Sequence, residues 1–242
     1  MATFVMIHGS WHGGWCFDAL RPLLAAKGHQ MIAPDLPGMG GDEATLAAVT
    51  LAEWAEFTAA LCREADAPVI LCGHSRGGIV ISQAAERAPE SIAALIYICA
   101  MLIPSGKSRA DMRAANQPNP DFDAIRLQVP HGTVIDAAGA NAVFAQRAPA
   151  DVASAALARL VAEPEAPSNT PLQLSEARYG TVPRHYVECL DDRAIMIADQ
   201  RRMQSLQPCA SVTTLDTDHS PYLSAPNDLA NALLTVANGI GA

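Results

Sequence analysis

The sequence predicts an α/β fold: a roughly six-stranded, mainly parallel, doubly wound sheet with a helical cap inserted after the fourth strand. Three observations predict it. Short apolar runs rich in β-formers alternate with segments of helical spacing, as in a parallel sheet covered by helices. That alternation lapses over one long stretch and then resumes, which is how an insertion reads. The 242 residues, 50% hydrophobic and 17% charged, suffice for a sizeable core and are too apolar for a disordered chain.

Thr3 to Ile7 and Gln30 to Ala33 are the first two strand candidates, and Leu51 to Glu64 carries apolar residues at helical spacing. The third strand, Pro68 to Cys72, runs into a glycine-rich turn and a helix from Ile79 to Arg87; Ala93 to Cys99 is the fourth. Between about Pro104 and Val182, proline-rich loops surround one clear helix near Asp151 to Val161. His185 to Leu190 and Ser211 to Leu215 complete the sheet, and Asn227 to Ala237 is a closing helix entered through Ser224-Ala225-Pro226. The expected organisation is one domain over 1–242, with a core of about 1–104 and 183–242 and a cap of about 105–182. Such a cap sits over the carboxyl ends of the strands, where open α/β sheets bind ligands.

Lys and Arg number 16 against 25 Asp and Glu, a net charge of −9 that disfavours an electrostatic hold on nucleic acid or an anionic membrane. The expected partner is a small molecule, with homodimer formation left open. No apolar run approaches the ~18 residues of a membrane span, and the first residues lack a cationic leader, so the expected localisation is cytoplasmic. Cys16, Cys62, Cys72, Cys99, Cys189 and Cys209 are scattered without ligand or disulfide spacing and read as core thiols.

Gly73-His74-Ser75-Arg76-Gly77-Gly78 follows an apolar strand and precedes a helix, the context of a nucleophile elbow. The serine on such a turn takes strained backbone angles, and the positions two before and two after it must be small; Gly73 and Gly77 fill them. A serine hydroxyl is a weak nucleophile, so it needs a base and a carboxylate to orient that base, in the chain order Ser, acid, His. His219, on a loop just before the closing helix, fits the base. Asp191 and Asp192 both follow the strand ending at Leu190, and spacing alone leaves the choice between them open. The loop Ile7-His8-Gly9-Ser10-Trp11-His12-Gly13-Gly14-Trp15 follows the first strand and can turn backbone N–H groups toward the nucleophile, so Ser10 and Arg76 are the expected main-chain donors to an oxyanion. His8 and His12 have metal-like spacing, but the glycine between them argues against a helix and no third ligand stands near. Neither a metal nor a cofactor is expected.

These motifs, with Arg184-His185-Tyr186-Val187-Glu188-Cys189, Asp192-Arg193-Ala194-Ile195 and Asp218-His219-Ser220, resemble the α/β-hydrolase superfamily, and within it the plant methylesterases, hydroxynitrile lyases and bacterial esterase relatives. In that group the acid stands before a basic residue, a small residue and an isoleucine, so the resemblance selects Asp192. Its lyases carry threonine and lysine where this chain has Gly9 and Ser220, which favours ester hydrolysis. The implied function is a serine carboxylesterase for a small, largely apolar ester, with Ser75, Asp192 and His219 as triad. The alternatives are a carbon–carbon lyase and a non-catalytic small-molecule receptor. Gly9, Leu102 and Ser220 are expected beside the substrate. Arg76 replaces an apolar residue common in the plant enzymes, and its side chain is expected to pair with a surface carboxylate rather than with an anionic part of the substrate.

Overall fold

The computed structural model describes residues 1–241. Its main sheet contains β1 (Thr3–Ile7), β2 (Gln30–Ile32), β3 (Val69–His74), β4 (Ile92–Ile98), β8 (Arg184–Cys189) and β9 (Ser211–Leu215). They lie in the order β2-β1-β3-β4-β8-β9, and every neighbouring pair is parallel. This is the sheet the alternation predicts, with boundaries moved by a residue or two. The largest change is at β3, which continues through Gly73 and His74 to the very edge of the elbow.

Both faces of the central strands are buried, which is why they read as continuous apolar runs. Val5, Ile7, Leu71, Leu95 and Tyr97 face α1 (Leu51–Arg63) and α2 (Gly77–Arg87), packing against Trp54, Ala59, Ile81 and Ala84. The alternate residues Phe4, Met6, Ile70, Cys72, Ile96 and Ile98 face Leu20, Leu24 and the closing helix, Pro226–Gly239, through Leu229 and Leu233. Cys16, Cys72, Cys99 and Cys189 are core members of this second layer, and all six cysteines are free thiols. A capping box starts α1: Thr50 accepts from the Glu53 amide, and Glu53 accepts from the Thr50 amide.

The stretch between β4 and β8 holds more regular structure than one helix. It contains α3 (Arg109–Ala114), the antiparallel pair β5 (Arg126–Val129) and β6 (Gly132–Ile135), α4 (Ala137–Phe144), α5 (Ala150–Leu157) and β7 (Glu163–Pro164). These strands are two to four residues long, with β5 largely exposed, β6 partly buried and β7 buried, so they leave no hydrophobic period to read. Trp11, from the loop after β1, packs among Ile125, Ala140, Val143 and Phe144 and joins this stretch to the sheet. Its indole Nε1 also donates to Thr133 Oγ1 at 3.0 Å. Among the described residues, no helix is long and apolar enough to cross a membrane.

The elbow depends on close backbone approach. A Cβ on Gly78 would lie 2.4 Å from the Met101 carbonyl oxygen, and one on Gly77 2.5 Å from that of Ile7. Neither neighbour is a side chain that can swing away. We expect Gly78→Ala to destabilise the fold by about 1–3 kcal/mol, lowering Tm by roughly 3–10 °C. Gly239→Ala, where a Cβ meets nothing within 4 Å, should be neutral. Thermal unfolding of the two variants checks this, and equal midpoints would refute the close-approach argument.

Candidate active site

Ser75 leaves β3 with φ of 52°, the left-handed region that a β-carbon disfavours. Hydrogen bonds hold it there from two directions. Its amide donates to the Ile98 carbonyl at 3.2 Å, and its carbonyl accepts from the Met101 and Gly78 amides at 2.9 and 3.1 Å. The hydroxyl is thereby lifted off the end of the sheet to meet His219: Ser75 Oγ lies 3.0 Å from His219 Nε2. His219 Nδ1 lies 2.8 Å from Asp192 Oδ2.

Asp192, buried at the end of β8, is itself held by three donors. Its Oδ1 accepts from the Ala194 and Ile195 amides, both at 2.8 Å, and its Oδ2 from Gln200 Nε2 at 3.1 Å. Asp191 points the other way, half-exposed, 3.7 Å from Arg193 Nε. Of the two carboxylates that spacing left open, Asp192 therefore reaches the histidine. The His219 loop is fixed by a buried neighbour, Asp218, whose Oδ2 accepts from the Arg147 amide at 2.7 Å and whose Oδ1 accepts from Ser224 Oγ at 2.7 Å. His74 donates Nε2–H to the His219 carbonyl at 2.7 Å.

The histidines of the two glycine loops serve the backbone. His8 Nε2 accepts from the Leu36 amide at 3.0 Å while Nδ1 donates to the Gly9 carbonyl at 2.9 Å. His12 Nδ1 donates to the Ser10 carbonyl at 2.6 Å. Burial pushes His8 down to about 3 and His12 to about 4. Burial and the neighbouring His219 push His74 well below the ordinary imidazole range. All three are neutral at working pH.

The Arg76 side chain departs from expectation. It is wholly buried, and its partner is no surface carboxylate: the guanidinium lies over the Trp54 ring at 4.2 Å, and Nε stands 3.3 Å from the buried Glu163 Oε2 without the alignment of a hydrogen bond. Nη2 donates to the Gly9 carbonyl at 2.8 Å. Burial lowers its pKa to about 10, against the opposing pull of Glu163, so the side chain remains a cation at neutral pH. The Gly9 carbonyl thus accepts from both Arg76 and His8. In a trans peptide the C=O and the following N–H point in opposite directions, so fixing that carbonyl fixes the Ser10 N–H. Neither the Ser10 nor the Arg76 amide donates to an acceptor among the described residues.

A cavity of about 310 Å³ opens on Ser75 and His219. Trp11, Met101, Phe122, Phe144 and Ile195 form its apolar wall; Ser10, Arg109, Arg113, Asn116 and Asp199 form a polar one. The Phe144 ring stands 5.8 Å from that of His219. Three expected substrate contacts are corrected. Leu102 is fully buried in the core, and the adjacent Met101 lines the cavity instead. Ser220 is buried off the cavity, its hydroxyl donating to Tyr222 Oη at 3.2 Å. Gly9 lies beneath Ser75 rather than in the wall, and a β-carbon there would come within 2.8 Å of Ser75 Cβ and 2.9 Å of His74 Nδ1. Gln200, Glu163 and Arg109 have no counterpart in the sequence reading, because their roles depend on contacts across 8 to 99 positions of chain.

Comparison with known proteins agrees with this architecture. A family model described as "Alpha/beta hydrolase family" matches residues 4–232. A pyrethroid hydrolase of Sphingobium wenxiniae is 34% identical over 248 residues, spanning 98% of this chain and 88% of that protein. Methylesterase 1 of Arabidopsis thaliana is 29% identical over 257 residues, spanning 97% and 95%. The crystal structure of a pyrethroid hydrolase from Sphingobium faniae matches with a TM-score of 0.87 at 30% identity, over 98% of this chain and 97% of that one. By sequence and by fold, the chain belongs to the alpha/beta hydrolase family.

Proposed function

We propose that this hydrolase is a serine carboxylesterase acting on a small, largely apolar ester without a cofactor. The observation that carries the reading is the unbroken chain from Ser75 Oγ through His219 to Asp192, opening on a cavity with two undonated amides beside it. The kinship with a pyrethroid hydrolase and with methylesterases supports the same substrate class.

His219 Nε2 takes the Ser75 proton as Oγ attacks the ester carbonyl, and Asp192 stabilises the imidazolium and fixes its orientation. The carbonyl oxygen gathers negative charge and is received by the Ser10 and Arg76 N–H groups. Collapse of the tetrahedral intermediate transfers the proton from His219 to the alcohol, which leaves past Phe144. Water, activated by His219, then releases the acid from Ser75. Gly9 and Ser220 stand where the related lyases carry threonine and lysine, which favours hydrolysis over lyase chemistry.

Ser75→Ala is expected to remove on the order of six decades of turnover of a short-chain aryl ester while leaving Tm unchanged within a few degrees. A fluorophosphonate should label wild type on Ser75 alone; labelling elsewhere, or mutant activity within tenfold of wild type, would refute the assignment. Asp192→Asn should lower kcat by about four decades and Asp191→Asn by less than about threefold. Steady-state kinetics on the same ester separates them, and the reverse order would exclude Asp192 as the acid. Arg76→Met keeps the bulk over Trp54 but frees the Gly9 carbonyl; we expect kcat to fall about ten- to a hundredfold with little change in KM, since the Ser10 amide matters most in the transition state. A change confined to KM would contradict that role.

A further inference from the structure

Arg109 begins α3, and its side chain is 11% exposed. Only Nη1 finds protein acceptors, Ser10 Oγ at 3.3 Å and Glu163 Oε1 at 3.4 Å, both long. Nε and Nη2 donate to nothing among the described residues, and the residue forms part of the cavity wall. A guanidinium carries five N–H donors and keeps its charge at any working pH, so a nearly buried one with idle donors is costly unless something accepts from it.

The charges around it do not balance. Arg76 and Arg109 share the single carboxylate of Glu163, while Arg113 is paired with Asp123 and Arg126 with Glu165. One positive charge is left over. Arg76 also keeps donors without partners, Nε and Nη1, but its side chain is 1% exposed and stacked on Trp54, whereas that of Arg109 is 11% exposed. The other carboxylate of the wall, Asp199 on the helix Ile197–Leu206, has Arg202 as its cationic neighbour instead. The location is as informative as the charge. Ser10 supplies one of the proposed oxyanion N–H groups, and its own hydroxyl touches Arg109, so the guanidinium stands within reach of a group two or three bonds from the scissile carbonyl.

We propose that Arg109 binds a carboxylate on the acyl part of the ester, making the preferred substrate a half-ester of a short dicarboxylic acid. The fork of a guanidinium matches a carboxylate in two parallel hydrogen bonds, and a semi-enclosed cavity strengthens them. This rests on the esterase reading above, with an anionic acyl part in place of a largely apolar one: Ser75 displaces the alcohol, water then cleaves the acyl-enzyme, and half-ester plus water gives alcohol, dicarboxylate and a proton.

Three methyl esters of nearly equal length test it: methyl hydrogen succinate, methyl 4-oxopentanoate and methyl pentanoate carry at the same place a charge, a neutral acceptor and neither. With the intact protein at neutral pH and acid release titrated, kcat/KM for the half-ester should exceed that for methyl pentanoate by about tenfold or more, chiefly through KM, with the keto ester between them. The preference should fade as salt is raised. Arg109→Met should bring the ratio of half-ester to pentanoate close to one, and Arg109→Lys should keep part of it. Equal kcat/KM for all three esters in wild type, or a preference that survives in Arg109→Met, would overturn the proposal. Equal use of the keto ester and the half-ester would overturn the carboxylate in favour of a neutral acceptor. Absence of Ser75-dependent turnover of every ester would instead overturn the esterase reading beneath it.

Discussion

The backbone crossing at the end of β3 is the constraint on which the rest of the site depends. Ser75 is held at a positive φ, a conformation that costs a residue with a β-carbon about 1–3 kcal/mol. It persists because β3 is buried on both faces between β1 and β4, and because the Ile98, Met101 and Gly78 backbone groups grip the turn from outside. That grip requires three chain segments to approach more closely than side chains permit, which is why Gly73, Gly77 and Gly78 lie where a Cβ would strike main-chain atoms. Once the elbow is fixed, β8 and β9 determine where the Asp192 and His219 loops emerge, and the hydrogen-bonded chain assembles at one end of the sheet.

A buried ion pair is weak evidence for stability, since desolvating a guanidinium and a carboxylate offsets most of their attraction. Arg76 and Glu163 make better sense as an orienting device. The guanidinium sits beneath the loop after β1, reaches the carbonyl whose peptide carries the Ser10 N–H, and is held from the far side by a residue of β7. A short strand of the inserted stretch is thereby connected to the loop beside Ser75. An apolar residue at position 76 can fill the same space, but it cannot define the direction of that peptide.

Much of this was legible in the sequence where the determinants are local. A strand, a glycine-framed serine and a helix occupy consecutive positions, so the elbow could be read at once, and two-faced burial left the central strands as unbroken apolar runs. The acid was narrower than spacing could resolve: Asp191 and Asp192 differ only in which way a turn aims them, and the turn is set by the Ala194 and Ile195 amides and by Gln200 on the following helix. Position 76 departs from the sequence expectation because an arginine is ordinarily solvated. Its burial depends on Trp54 and Glu163, far away in sequence, and on the small antiparallel sheet whose two- to four-residue strands have no readable period. Met101 lines the cavity in place of Leu102 for a similar reason: adjacent residues in an irregular segment after β4 point to opposite sides, and only the packing decides which is core.

The crowd of imidazoles around Ser75 has a physical logic as well. His8, His12 and His74 pack within the same pocket as His219, and four ionisable rings so close would repel one another if several were charged. Burial removes that hazard by holding three of them neutral, each with a ring nitrogen committed to a backbone group. The imidazolium that the proposed reaction forms on His219 therefore faces the Asp192 carboxylate on one side and no cationic ring on the other. The neighbouring rings supply shape and hydrogen bonds without adding charge, and Arg76 stands as a fixed cation beneath the loop that carries the Ser10 N–H, where negative charge develops in the proposed reaction.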